Sequence, residues 1–443
     1  MENELTRRRF LAAASAAGAG LTLGTGPVIA RGEEKPALLG GQPARKGPFP
    51  AWPVFDGKDE EALLKVMRTG KWYRGDGACV ARFEEAYAER MGAKHCVATA
   101  SGSTALYTSL AALGVQAGDE VILPPYTFVA CVNVILALNA LPVFVDTDPE
   151  TFQIDPAKIG PAITDRTVAV MPVHLGGNVA NLDAVLAVAR EHKLAVVEDT
   201  CQSHLAEWKG RKAGTHGDTG CFSFQASKNL NAGEGGAILS SSGDVADQCY
   251  AIHNHGRPRK GGGAYSRQGV NFRMTEFQAG LLLSQMTRLE EQARRREQNA
   301  QALTSLLREI PGIRPAGMYE GCTRNAYHLY MFRYNSEAFA GLPRAAFLKA
   351  LSAEGVSASS GYTPLNKLPF IRETLQSRGF QRLVSKERLA LWDKQNTCPA
   401  NDRLCAEAAW MTQNVLLADR AEMDRIAEAV RKIQKHAADL ARA

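Results

Sequence analysis

The sequence of 443 residues has nine cysteines but no Cys-x-x-Cys pair. The odd count and scattered positions exclude a fully paired disulfide framework, and metal-ligand spacing is absent. Cys96, Cys201 and Cys221 lie in or beside apolar strand-like runs and read as small core residues. His253 and His255 flank one residue, yet no carboxylate or cysteine follows at ligand spacing, so no metal is expected. Also missing is any Lys/Arg run interleaved with aromatics. A net charge of +6 over this length is modest, so nucleic acid is not an expected partner. Internal repeats and low-complexity tracts are absent too. What is left has the composition of a globular enzyme, with 45% hydrophobic and 22% charged residues, 40 glycines and 20 prolines. The length passes the roughly 250–300 residues at which a single core stops growing, which predicts two domains.

The first residues stand apart from the rest. Arg7-Arg8-Arg9-Phe10-Leu11 leads into a weakly apolar, Ala/Gly-rich stretch from Ala12 to Thr25, and Val28-Ile29-Ala30 offers small residues near a cleavage point. This order resembles a twin-arginine export signal over residues 1–30, and places the protein in the periplasm or cell envelope. A basic tail of another kind would leave it cytoplasmic. The stretch is too short and Gly-rich for a membrane anchor, and no membrane association is expected beyond the signal. Gly18, Gly20 and Gly24 mimic a dinucleotide loop, but no strand precedes them.

From about residue 50 helical segments alternate with short apolar runs, an α/β pattern. Val121-Ile122-Leu123, Val143-Phe144-Val145, the run 168–171, Ala195-Val196-Val197, the run 221–224 and Gly236-Ala237-Ile238-Leu239 are apolar on nearly every residue. That predicts strands covered on both faces of a mostly parallel sheet. Helices are expected from Ser103 to Leu113, stopped by Gly114, and from Leu182 to His192, started by Asn181 or Asp183. A long helix from Thr275 to about Arg308, with Phe277, Leu281, Leu289, Leu303 and Leu307 as its apolar residues, is expected to bridge two domains. These are a large α/β domain with an N-terminal arm over 31–300 and a smaller α+β domain over 301–443. The last is closed by a helix presenting Met423, Ile426, Val430 and Ile433 on one face.

One constellation carries chemistry. Val196-Val197-Glu198-Asp199 is a strand that ends in acids, and Lys228 follows 29 residues after Asp199. Pyridoxal chemistry needs such a pair. An amine condenses with the cofactor aldehyde, and a carboxylate keeps the pyridine nitrogen protonated so that the ring can accept electrons. Adjacent strand ends at the carboxyl edge of a sheet can present both to one ring. Singly, neither residue decides: a strand-end Asp also caps helices, and a Lys is also plain surface. Ala100-Ser101-Gly102-Ser103-Thr104, between a strand-like run and a helix, could cradle a phosphate with backbone N–H groups and hydroxyls, or serve only as an N-cap. Ser223 offers a further hydroxyl, and Phe128 is either a flat face for a pyridine or a core aromatic.

In chain order, Ser-Gly-Ser-Thr-Ala-Leu, Pro-Pro-Tyr-Thr-Phe, Val-Glu-Asp-Thr-Cys-Gln, Phe-Ser-Phe-Gln-Ala-Ser-Lys-Asn-Leu, Gly-Glu-Gly-Gly-Ala, His-Gly-Arg and Asn-Phe-Arg-Met-Thr-Glu-Phe-Gln-Ala resemble the DegT/DnrJ/EryC1/StrS sugar aminotransferases over about residues 50–370. The resemblance implies the aspartate-aminotransferase fold (fold type I), pyridoxal 5'-phosphate as cofactor and a homodimer with two shared sites. It also implies transfer of an amino group from glutamate or glutamine to a keto-sugar or keto-cyclitol, in some members nucleotide-linked. It makes Lys228 the Schiff-base lysine and proton shuttle, and Asp199 the pyridinium partner. Gln202 would reach the cofactor hydroxyl, Ser103, Thr104 and Ser223 would bind phosphate, and Phe128 would stack. Asn271 and Arg273 would reach across from the other subunit, and His255, His328 and Tyr362 would face substrate. Where many members carry histidine after Pro-Leu, this chain has Asn366, in the segment Tyr362-Thr363-Pro364-Leu365-Asn366. Two other functions fit the same residues less well. A sugar dehydratase of the family would have histidine in place of Lys228, and an exported binding protein would keep the cofactor without turnover.

Overall fold

The computed structural model describes residues 35–259 and 264–442; the expected export signal lies outside them. Thirteen strands are assigned among these residues. In chain order they are β1 (His95–Thr99), β2 (Glu120–Leu123), β3 (Leu141–Phe144), β4 (Thr167–Val170), β5 (Ala195–Asp199), β6 (Glu207–Trp208), β7 (Arg211–Lys212), β8 (Thr219–Ser223), β9 (Gly236–Ser240), β10 (Ile313–Pro315), β11 (Cys322–Arg324), β12 (Leu329–Tyr334) and β13 (Ala408–Thr412).

Seven of them form the central sheet in the order β1-β9-β8-β5-β4-β2-β3, with β9 alone antiparallel to its neighbours. The continuous apolar runs explain this architecture, because residues on both faces of these strands are buried. Side chains alternate across a strand, so on β5 Val197 joins one core while Val196 joins another on the far face. That alternation later separates Asp199 from Glu198.

The helix starts follow local capping chemistry. The Ser101 hydroxyl accepts from Thr104 N–H at 3.1 Å and opens the Gly102–Ala112 helix, Asn181 rather than Asp183 caps Leu182–His192, and Gly114 turns away at φ +87°. Thr275 caps a helix of 33 residues, Glu276–Arg308. Its apolar stripe differs from the expected one. Phe277 and Leu281 are only half-buried, while Ala279, Leu282, Met286 and Leu289 are buried. The cause is the packing partner: the first half lies against the Gly57–Thr69 and Cys79–Met91 helices, and the second half against the small sheet and the Arg420–Lys435 helix.

That small sheet, β10-β12-β13, is antiparallel, and Met423, Ile426, Val430 and Ile433 pack into its core as the periodicity predicts. The packing interleaves what a single cut at residue 300 separates. Leu39, Ala44 and Phe49 pack on the core of the small sheet, whereas Leu365, Ile371, Trp392 and Leu404 join the core of the large sheet. Trp392 Nε1–H donates to the carbonyl of Pro142 on β3 at 2.6 Å. Among the described residues no helix is long and apolar enough to cross a membrane.

Candidate active site

The carboxyl ends of β5 and β8, the start of the Gly102–Ala112 helix, the loop carrying Tyr362 and strand β13 with Trp410 enclose a cavity of about 530 Å3. This is where the open α/β rule puts a ligand. Asp199 and Lys228 both line it, as the sequence pairing requires.

Asp199 ends β5 and is buried. Its Oδ1 accepts the Cys201 backbone N–H at 3.0 Å and its Oδ2 accepts the Cys131 thiol at 2.9 Å. Each carboxylate oxygen therefore keeps a lone pair for a further donor. Lys228 sits on the loop that leaves β8, where its N–H donates to the Gln225 carbonyl and the Ala226 N–H to the Gly233 carbonyl. Burial lowers the Lys228 ammonium below its ordinary value, with Cys201 and Asp199 opposing the shift. A lysine with depressed basicity keeps more of the free amine that condensation and proton abstraction need.

The helix start forms a tight cradle. A side chain at Gly102 would put its Cβ 2.7 Å from Ser223 Cβ and 2.9 Å from Cys201 Sγ, so only glycine lets the three segments meet. Ser101, Ser103 and Ser223 line the cavity there, and the first N–H groups of a helix lack intrahelical acceptors, which suits a phosphate dianion. Thr104 is placed differently. Its hydroxyl donates to the Ser101 carbonyl at 2.8 Å and accepts the Ser101 N–H at 2.9 Å, so it closes the capping box and does not line the cavity. The expected core residue Cys201 instead forms cavity wall, because the turn after β5 carries it out of the sheet.

Phe128, 55% exposed, gives the cavity an aromatic face. Gln202 is held at both ends, its Oε1 accepting Gly176 N–H at 2.7 Å and its Nε2 donating to the Tyr362 hydroxyl at 3.1 Å. His328 is buried on the wall with Nδ1 at 3.2 Å from Asn229 Oδ1. Because the Asn229 amide nitrogen donates to the Ala326 carbonyl, its oxygen faces His328 and accepts from Nδ1–H. Burial and then Lys228 push the His328 imidazole far below its ordinary value, so it is neutral.

Besides Thr104, three sequence candidates do not line this chain's own cavity. His255 is exposed at φ +58°, its backbone N–H donating to the Val270 carbonyl and its side chain at the surface. Asn271 is exposed, and the Arg273 guanidinium donates to Asn254 Oδ1 at 3.1 Å and lies over the Tyr73 ring. Sequence reasoning missed Cys131, Gln225, Ser227 and Trp410, all on the wall. Cys131 carried a usable signal, since three positions after Phe128 is one helical turn. Trp410 had none, because only the fold brings β13 to the cavity. Among the described residues no group of His, Cys, Asp and Glu could hold a metal.

A helix-start cradle, a strand-end carboxylate and a lysine of lowered basicity in one cavity fit pyridoxal phosphate at its three chemical handles, namely phosphate, ring nitrogen and aldehyde. Fold and site thus define a pyridoxal-phosphate-dependent aminotransferase of fold type I. The profile of the DegT/DnrJ/EryC1/StrS aminotransferase family matches residues 54–431, and the chain belongs to that family. It is 37% identical over 428 residues to the L-glutamine:2-deoxy-scyllo-inosose aminotransferase of Streptoalloteichus tenebrarius, covering 91% of this chain and 98% of that one. Among solved structures, 3-amino-5-hydroxybenzoic acid (AHBA) synthase superposes with TM-score 0.79 at 31% identity over 90% of this chain and 100% of that one. NtdA from Bacillus subtilis, with bound cofactor PMP, superposes with TM-score 0.73 at 25% identity over 89% and 87%.

Proposed function

We propose that the enzyme moves the amino group of glutamine to an uncharged keto-cyclitol of the scyllo-inosose kind. The reaction class rests on Lys228 and Asp199 sharing one cavity. The uncharged acceptor rests on the walls that one chain supplies: Lys228 is the one Lys or Arg among their described residues, His328 is neutral, and the pairing proposed below adds a single guanidinium, that of Arg273. A diphosphate-linked sugar calls for cationic partners, whereas Gln202, Tyr362, His328 and Trp410 offer neutral hydrogen bonds and aromatic faces to a polyol ring. The glutamine:scyllo-inosose relative supports the same choice.

When bound, pyridoxal phosphate supplies an aldehyde that exchanges amines and a ring that accepts an electron pair. Ser101, Ser103 and Ser223 would hold its phosphate, Phe128 would face the ring, Asp199 would keep the ring nitrogen protonated and Gln202 would meet the ring hydroxyl. Lys228 Nζ would hold the cofactor aldehyde and would serve as the base for the donor Cα proton. The apolar walls from Leu106, Val173 and Leu329 keep water from this exchange. Two copies pair so that Asn271 and Arg273 of one complete the site of the other. Their position outside their own cavity and the exposed Trp72, Tyr73 and Tyr265 side chains support this reading. Export by the twin-arginine route belongs to the same proposal and is tested by fractionating cells that carry the tagged full chain.

The deciding experiment adds amino donors to the yellow loaded enzyme, follows bleaching, and then offers keto-inositols and nucleotide-linked keto-sugars to the aminated form, with products identified by mass. Bleaching by glutamine and amination of the inositol are expected. Amination of nucleotide-linked sugars alone would overturn the acceptor class, and no bleaching by any amine would point to a binding protein.

A further inference from the structure

Asp199 is gripped by a side chain that the pairing with Lys228 does not call for. Cys131 stands in the first turn of the Ala130–Ala137 helix, with Sγ 2.9 Å from Asp199 Oδ2 and 3.4 Å from the Thr127 hydroxyl. An ionised carboxylate accepts only, so the thiol donates to it, and the sulfur is left to accept from Thr127. We propose that Cys131 is a positioning residue for the reaction, its thiol fixing the direction of the Asp199 carboxylate and tempering its basicity toward the ring nitrogen. This rests on Asp199 as the ring-nitrogen partner.

The surroundings keep the thiol in the donating form. Burial first, and then the charge of Asp199, push the Cys131 thiol well above its ordinary value, so it neither ionises nor competes as a nucleophile. The backbone N–H of Cys201 fixes Oδ1 from the other side. Two donors on two oxygens define the plane of the carboxylate, and the remaining lone pairs set where a ring N–H can dock. A thiol is a weak donor, so it orients the acid and tempers its basicity by a modest amount, leaving it ionised. Cys131 also packs in the main core with Val197 and Cys221. A purely steric role is therefore the competing account, and the test has to separate the two.

The variants are Cys131→Ala, which removes the donor, and Cys131→Ser, which keeps one of similar size. Each full-length enzyme is loaded with pyridoxal phosphate, and the pH midpoint of its visible absorbance is measured beside kcat and KM for glutamine. Without the thiol Asp199 becomes the stronger base and draws the ring proton closer, which leaves the ring less positive. The midpoint is then expected to rise by about half a unit in Cys131→Ala, with kcat down about tenfold and KM within about twofold. Cys131→Ser is expected to restore both. A wild-type midpoint in Cys131→Ala, or a serine variant that behaves like the alanine one, overturns the proposal. Borohydride fixation of the cofactor to Lys228 in the wild type separates the levels. If it fails, the assignment of the site falls and this proposal with it; if it succeeds and Cys131 proves indifferent, only the proposal falls.

Discussion

Glu198 and Asp199 are neighbours on β5, yet the two faces of that strand treat their carboxylates in opposite ways. Glu198 faces a closed interior. It takes a hydrogen bond from His174 Nε2 at 2.9 Å and from the backbone N–H groups of Gly214, His216 and Gly217 at 2.7–2.8 Å. The imidazole orientation is fixed because His174 Nδ1 accepts the Ala180 N–H. Burial alone would raise the Glu198 carboxyl, but the His174 contact and the backbone donors bring it from 4.5 down to about 2. Asp199 has one donor on each oxygen and opens into the cavity. One acid has nearly all its acceptor capacity taken up and locks a turn in place, while the other is only partly satisfied and remains available to a ligand. Spare hydrogen-bonding capacity, more than burial, separates the chemical acid from the structural one.

That contrast can be broken from either side. The largest effect is expected from Lys228→Ala, which should cut turnover by at least about 10^4-fold and abolish the visible band while leaving the melting temperature unchanged. A loss of fold together with activity would place Lys228 on the structural side. Glu198→Ala should do the reverse, lowering stability in denaturant titrations by about 3–5 kcal/mol because His174 and three N–H groups lose their partner, with turnover per folded molecule retained. Asp199→Asn keeps shape and removes charge, so a drop in kcat of about 10^2–10^3-fold at unchanged stability is expected, read by steady-state kinetics.

Acid sharpens the comparison further. The folded Glu198 carboxyl lies at about 2 against 4.5, and buried His204 and His253 lie at about 3 against 6.5, each imidazole pushed down mainly by burial. In all three the unfolded chain binds protons first. Their stabilisation is complete above pH 6.5 and is lost as pH falls through 6.5 to 3 for the histidines and 4.5 to 2 for the acid. The contribution of these three groups should thus be flat just above pH 6.5, and denaturant midpoints should decline below it; a midpoint that rises on acidification would contradict the sign. The smallest effect is expected from Tyr362→Phe, which removes one neutral hydrogen bond to Gln202 and should raise KM for the acceptor or weaken cofactor retention by about fivefold. An unchanged enzyme would mean that Gly176 alone holds Gln202.

Much of this site was legible before any coordinates. Asp199, Lys228, Gln202, Ser103, Ser223 and Phe128 lie in local segments whose chemistry is set by neighbours in sequence, and they meet in one cavity. The strands were legible for the same reason, since burial on both faces writes an unbroken apolar run. What local pattern could not supply was the second partner of each group. Thr104 reads as a phosphate ligand until its hydroxyl is seen on Ser101, and the stripe of the long helix shifts because two separate helices pack on its first half. Trp410 reaches the cavity only through β13, far along the chain, and the Leu365–Leu404 region joins the large core despite following the small sheet's first strands.

A room with a single reactive amine has a consequence for traffic. Among the described lining residues Lys228 is the one amine, and in the proposed reaction a single carrier at that amine takes up the amino group before handing it on, so donor and acceptor take turns at the chemistry. The spent keto acid must leave before the second guest arrives, and the same walls must fit an open-chain amino acid on one visit and a ring on the next. Each reactant is thereby a competitor for the other's turn, and an excess of either should slow the whole cycle.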